Sequence, residues 1–274
     1  MRERPIGMFD SGFGGLTVAR AVFDVLPDEH VVYIGDTGRY PYGPRPLDDV
    51  RGFALEIAWS LVEDHEAKMI VVACNTAAAA ALDELVREMP VPVVGVIDPG
   101  ARALVASTRN HRVGVIGTVG TIGSGAYQRS VAATEAPVEL TCAACPGFVE
   151  FVERGETTGE QVTILAERLL APMTDAKIDT LLLGCTHYPF LARVIGDVMG
   201  RDVVLVSSAD ETAFSVRQVL QLEGLLREAG TPARHRFLSS GDVSTFVDLG
   251  RRLFGPELGA AEAWRPGGDA RLAR

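Results

Sequence analysis

Residues 70–76 read I-V-V-A-C-N-T, and residues 181–187 read L-L-L-G-C-T-H. Each is an apolar run of strand length, then a small residue, a cysteine, and polar residues able to start a helix. The first copy puts Cys74 at a strand's carboxyl end with Asn75 and Thr76 beside it. The second does the same with Cys185, Thr186 and His187. In open α/β sheets, ligands bind in the crevice beyond the carboxyl ends of the strands. Two thiols delivered there by two equivalent units are placed to face one ligand from opposite sides.

Working outward, Pro5–Phe9 reads as a strand, Asp10-Ser11-Gly12 as a turn, and Gly14-Gly15-Leu16 as a helix start. A Gly-rich turn before a helix suits an anion, but no Walker A lysine follows. His30–Ile34 is a second strand, ending in a long Pro- and Gly-rich loop, 35–46. Such loops in compact domains are usually functional, and Tyr42 and Gly43 are read as a rim able to approach a ligand. Arg112–Ile116 followed by Gly117-Thr118-Val119-Gly120-Thr121 repeats the pattern of the opening segment. Ser11 lies 63 residues before Cys74, and Thr118 lies 67 before Cys185. Matched landmarks in the same order point to an internal duplication. The remaining segments give a helix over about 209–229, a strand near 234–238, a helix near 243–253 and a frayed tail from about 259.

The composition narrows the function. A chain of 274 residues suits two domains. A net charge of −10 argues against a nucleic-acid-binding surface. No apolar run reaches the ~18–20 residues that span a membrane. The start, Met1 to Pro5, does not resemble a signal peptide, so a cytoplasmic protein is expected. Four cysteines in a chain this size are not a disulfide scaffold. The two lysines, Lys68 and Lys177, precede strands and suit helix ends. Neither looks like a Schiff-base lysine.

Free thiols have a pKa near ~8.5, lowered at helix N-termini. One reactive cysteine would suggest covalent catalysis. Two symmetric ones suggest acid–base chemistry from two faces: one thiolate removes a proton from a stereocentre, and the opposing thiol returns one to the other face. Cys142 and Cys145 form a C-x-x-C, for which redox or metal chemistry is a minor alternative. Asp10 could orient an ammonium group or tune Cys74, or simply cap a helix. His187 could do the equivalent for Cys185, or be a satisfied loop histidine.

The blocks F-D-S-G-F-G-G-L-T-V at 9–18, G-D-T-G-R-Y-P-Y-G-P at 35–44, A-C-N-T-A at 73–77, G-T-V-G-T-I at 117–122 and L-G-C-T-H-Y-P at 183–189 resemble the cofactor-independent amino-acid racemases. The cysteine blocks look more like the glutamate than the aspartate enzymes. The resemblance implies two similar α/β domains, each a mainly parallel sheet flanked by helices, related by a pseudo-twofold duplication, with the site in the cleft between them. They would comprise 1–97 plus 208–274, and 98–207. It implies racemization of glutamate for peptidoglycan synthesis, with Cys74 taking the proton from D-glutamate and Cys185 from L-glutamate. Asp10, Ser11, Tyr42, Gly43, Asn75, Thr76, Thr186 and His187 would bind the amino acid. Thr118 and Thr121 are similar to hydroxyls that help hold a carboxylate, and Glu153 would support the Cys185 side. Two departures stand out. Gly147 replaces a bulky residue, and Glu150, in place of a proline, is a second carboxylate that competes with Glu153. No metal or cofactor is implied, and a homodimer is left open.

A cysteine-nucleophile transferase or hydrolase on the same scaffold, or a non-catalytic amino-acid-binding module, are the competing functions. They separate from the racemase by circular dichroism with L-glutamate and no pyridoxal phosphate added. Racemization is expected to survive extensive dialysis against a chelator. Loss on dialysis with recovery on added zinc would contradict the two-thiol mechanism.

Overall fold

The computed structural model describes residues 1–230, 232–255 and 258–267. The chain begins with strand β1 (Ile6–Asp10), helix α1 (Leu16–Val25), β2 (Val31–Gly35), α2 (Leu47–Glu63), β3 (Met69–Val72), α3 (Asn75–Glu88) and β4 (Val93–Gly95). Helix α4 (Ile97–Ser107) leads into a second series: β5 (Arg112–Gly117), α5 (Val119–Gly123), α6 (Ala126–Ala133), β6 (Glu139–Ala144), α7 (Phe148–Glu153), α8 (Glu160–Asp175), β7 (Thr180–Gly184), a 3-10 turn (Tyr188–Leu191), α9 (Ala192–Met199) and β8 (Val204–Ser207). Helix α10 (Ser208–Leu222), β9 (His235–Ser239), α11 (Val243–Phe254) and β10 (Glu262–Ala263) follow.

The strands form two sheets with orders β10-β9-β2-β1-β3-β4 and β6-β5-β7-β8. All pairings are parallel. Every residue of β1, β2, β3 and β7 is buried. That is what continuous apolar runs become when helices cover both faces of a parallel sheet. Each series of four strands has the same spatial order: second, first, third, fourth. In each, the cysteine follows the third strand, beside the first, where the chain's direction of winding reverses. That is the ligand-binding position of a doubly wound sheet. The registers match as well. Phe9 pairs with Val72, and Gly117 with Gly184, so Ser11 and Thr118 come level with Cys74 and Cys185. The duplication inferred from spacing is thus visible as repeated topology.

Helices α4 and α10 join the two sheets. α10 packs on α1 and α4, and α4 on α6 and β7. They approach closely at Gly100, where a Cβ would lie 3.0 Å from Ser208 Cβ. One apolar cluster runs from the first sheet through these helices to one face of the second. A second cluster fills that sheet's other face, under α7, α8 and α9. No helix among the described residues is long and apolar enough to cross a membrane.

Three expectations change. The helix read to about 229 ends at Leu222, because Gly224 takes a left-handed φ of 64° and Leu225 N–H bonds back to Leu220. The tail is docked as far as Trp264. β10 adds an edge strand to β9, and Trp264 is buried with its indole N–H donating to Ser60 Oγ at 2.9 Å. The part of the tail from 268 lies outside the described residues. Lys68 is not a helix-end cation. It is buried, and its Nζ donates to Glu29 Oε2 at 2.5 Å and to the carbonyls of Arg2 and Leu225. The ammonium therefore pins three separate segments together.

Removing one partner of a buried ion pair leaves an uncompensated charge, which costs about 3–5 kcal/mol. Lys68→Met is expected to lower the unfolding free energy by that order in urea titrations. Lys68→Met with Glu29→Leu should recover part of the loss. A single variant within ~0.5 kcal/mol of wild type would show that the pair is not coupled to folding.

Candidate active site

Asp10 ends β1 fully buried. Its Oδ2 accepts from Gly12 N–H at 2.9 Å, and its Oδ1 has no hydrogen-bond partner. Burial raises its pKa, against the opposing pull of His187 and the N–H groups of Gly12, Gly15 and Ser11. Only glycine fits at position 15, since a Cβ there would stand 2.5 Å from Asp10 Cβ. One strand over, Cys74 caps α3, its Sγ accepting from Ala77 N–H at 3.5 Å. The helix start alone would lower this thiol. Burial and the Asp10 charge win instead, and push it up to about 12.

Cys185 leaves β7 in the equivalent place, and its carbonyl accepts from Tyr188 N–H at 3.0 Å. Its Sγ lies 3.9 Å from His187 Nδ1. On the far side of the ring, Nε2 lies 3.4 Å from Glu153 Oε1. His187 is buried, and burial alone would lower its pKa. The Cys185 sulfur, Glu153 and Asp10 outweigh that and raise it to about 10. Of the two competing carboxylates, Glu153 faces His187, whereas Glu150 lines the cleft.

The two sheets meet at these residues. A Cβ on Gly14 would fall 2.3 Å from Thr186 Oγ1 and 2.5 Å from His187 Nδ1. The first sheet's backbone therefore touches the second sheet's cysteine block only because residue 14 has no side chain. Thr76 Oγ1 lies 3.0 Å from Thr118 Oγ1 and 3.2 Å from Thr121 Oγ1. Gly120 N–H donates to Gly43 O at 2.9 Å, and Asn75 Nδ2 to the Tyr127 hydroxyl at 2.7 Å. The second bond uses the amide's donor end and leaves buried Asn75 Oδ1 without a partner.

The cleft holds about 600 Å³, counting space open to solvent. Cys74 and Cys185 both line it, together with Ser11, Tyr42, Gly43, Asn75, Thr76, Thr118, Thr186 and His187. Asp10, Thr121 and Glu153 stand behind that lining. Tyr42 differs from the rim expected of it. It is buried, its hydroxyl donates to Asp36 Oδ2, and its ring packs on Phe53. Asp36 was not singled out from the sequence. It is the loop's anchor, also accepting from Arg39 Nε at 2.7 Å and Ser240 Oγ at 2.6 Å. Its signal is its place after a strand, which matches that of Asp10. Tyr40, Pro41, Cys145, Pro146 and Tyr188 also line the cleft, and Tyr127 supports Asn75 from beneath.

Cys142 and Cys145 are not a pair. Cys142 packs on the cluster shared with the first sheet and Cys145 on the other. Burial pushes the two thiols up to about 11 and 12. Cys145 and Cys185 are both free thiols, and the strands they follow are separated by β5. Among the described residues, no group of three or more His, Cys, Asp and Glu could hold a metal ion.

The sequence profile of the Asp/Glu/Hydantoin racemase family matches residues 16–214. A glutamate racemase of Parafrankia sp. is 54% identical over 95% of this chain and 94% of its own length. The crystal structure of a glutamate racemase isoform from Bacillus anthracis superposes with a TM-score of 0.91 at 41% identity, covering 98% of this chain and 99% of that one. The glutamate racemase of Francisella tularensis, crystallised with D-glutamate, gives 0.89 at 32% identity over 96% and 98%. Two parallel sheets meeting at paired strand-end cysteines, with these likenesses, place the chain in the Asp/Glu/hydantoin racemase family. Within that family of isomerases it stands with the glutamate racemases.

Glu153→Gln removes the charge facing His187 Nε2. The His187 titration, followed by NMR of the ring Cε1–H, is expected to move down from about 10 toward the ordinary histidine range. In wild type the imidazolium persists through neutral pH and is lost only as the pH rises through that value. An unmoved titration would show that Glu153 does not act on the ring.

Proposed function

We propose that this chain interconverts L- and D-glutamate by proton transfer between two thiols, without a cofactor, and supplies D-glutamate for peptidoglycan synthesis in the cytoplasm. The observation that carries the proposal is that Cys74 and Cys185 line one cleft from equivalent strand ends of two different sheets. The division into 1–97 plus 208–274 and 98–207 belongs with it, since each thiol then comes from its own unit.

The chemistry follows from the surroundings. The partnerless Oδ1 of Asp10 suits the substrate's α-ammonium. With that cation in place, the negative charge beside Cys74 is balanced, and the thiolate becomes accessible once substrate is bound. Thr76, Thr118 and Thr121 offer hydroxyls to a carboxylate. The start of α3 adds N–H groups and a favourable dipole where charge develops on the α-carboxylate. Burial keeps water from quenching the carbanion. Cys74 removes the proton of D-glutamate while Cys185 protonates the opposite face, and the roles reverse for L-glutamate. His187 and Glu153 support Cys185, and Asp10 supports Cys74.

Replacing either cysteine with serine is expected to nearly abolish racemization, because a hydroxyl is too weak a base to take the α-proton. In D₂O, Cys185→Ser should still exchange the α-hydrogen of D-glutamate through Cys74. Cys74→Ser should exchange that of L-glutamate through Cys185. Proton NMR of the α-position checks both. A Cys74→Ser protein that racemizes near the wild-type rate would contradict the mechanism.

A further inference from the structure

We infer that Tyr40 is a positioning residue for the Cys185 half of the reaction: from a loop of the first sheet, its buried hydroxyl is the donor that serves Glu153 in the working enzyme and fixes that carboxylate against His187. This role rests on the two-thiol proposal above. The Tyr40 ring lies edge-on to Phe13 at 6.4 Å, and 6.3 Å from the His187 ring at 33°. It covers Gly12, where a Cβ would meet it at 3.1 Å. Its position is set by its own sheet, because Asp36 grips the neighbouring side chains Arg39 and Tyr42. Its hydroxyl reaches the other sheet. Tyr40 Oη, Glu153 Oε1 and His187 Nε2 are all buried, and none makes a hydrogen bond of good geometry. The first two gather at the same imidazole: Glu153 Oε1 lies 3.4 Å from His187 Nε2, and the Tyr40 ring packs against the His187 ring.

Three buried polar atoms in one place are costly unless they serve one another. Glu153 accepts only, when ionised, and the Tyr40 hydroxyl and the His187 imidazolium are its two donors. Burial and Glu153 raise the Tyr40 pKa, so the hydroxyl keeps its proton to donate. Tyr40 thereby links the first sheet to the acid–base relay of the second: Tyr40, Glu153, His187, Cys185. On the Cys74 side, Asp10 has N–H groups of its own sheet besides His187, whereas Cys185 has, among the described residues, only the His187 and Glu153 relay, so the larger dependence belongs to Cys185.

The test is Tyr40→Phe, which keeps the ring and removes the hydroxyl. A racemase has an equilibrium constant of unity, so kcat/KM must fall equally in both directions, here by about tenfold for loss of a hydrogen bond to a charged group. The informative readout is the primary isotope effect on kcat/KM with α-deuterated substrates. Raising only the barrier at Cys185 should increase the effect for L-glutamate, whose deuteron is then moving at Cys185, and decrease it for D-glutamate. In a Glu153→Gln background, Tyr40→Phe should change nothing further. Isotope effects that stay put or move together, or losses that simply add, would overturn the role even if activity falls. Cys185→Ser that still racemizes would remove the two-thiol proposal, and the Tyr40 role with it.

Discussion

Asp10 and His187 are ionisable groups held out of water, and much of the site is arranged around that fact. A charge in a low-dielectric interior is tolerated only with partners. Asp10 has three N–H groups and the opposing imidazolium. His187 has Asp10, Glu153 and the Cys185 sulfur. These partners lie on different sheets, so the sheets must approach closely. Gly14 and Gly15 permit it, one beneath Thr186 and His187, the other against Asp10. The hydroxyls of Thr76, Thr118 and Thr121 close the contact at the other wall.

Repetition of one strand order brings two cysteines to equivalent places, but their surroundings differ. Cys74 lies buried beside an acid on its own sheet, and burial first, then that acid, raise the thiol's pKa. Cys185 lies beside a cationic ring, supported by a carboxylate from the helix after β6. A proton exchanged between mirror-image substrates calls for two groups of similar reach. It does not call for identical neighbours. What the topology equalises is position, and what the side chains supply is a separate means of balancing charge on each side.

Much of this was legible from residue order. The apolar runs before Cys74 and Cys185, the glycines after Phe9, and the spacing of Ser11 and Thr118 were enough for two parallel-sheet units with thiols at the strand ends. Local pattern failed where distant partners decide. Lys68 reads as a helix-end cation until Glu29, Arg2 and Leu225 are seen around it. The tail after Gly259 reads as frayed because its anchor, Ser60 under Trp264, is some two hundred residues away. Tyr42 has the composition of a rim residue, yet Asp36 draws its hydroxyl inward. A thiol at a helix start suggested a lowered pKa, and the degree of burial that reverses this at Cys74 has no local signature.

The central claim is that the two sulfurs stand on opposite faces of one α-carbon. A crystal structure of this chain with D-glutamate tests it most directly. The α-carbon is expected between Cys74 Sγ and Cys185 Sγ, with the ammonium at Asp10 Oδ1 and a carboxylate at the threonine hydroxyls. Glutamate bound with both sulfurs on one side of the α-carbon, or outside the cleft, would contradict it.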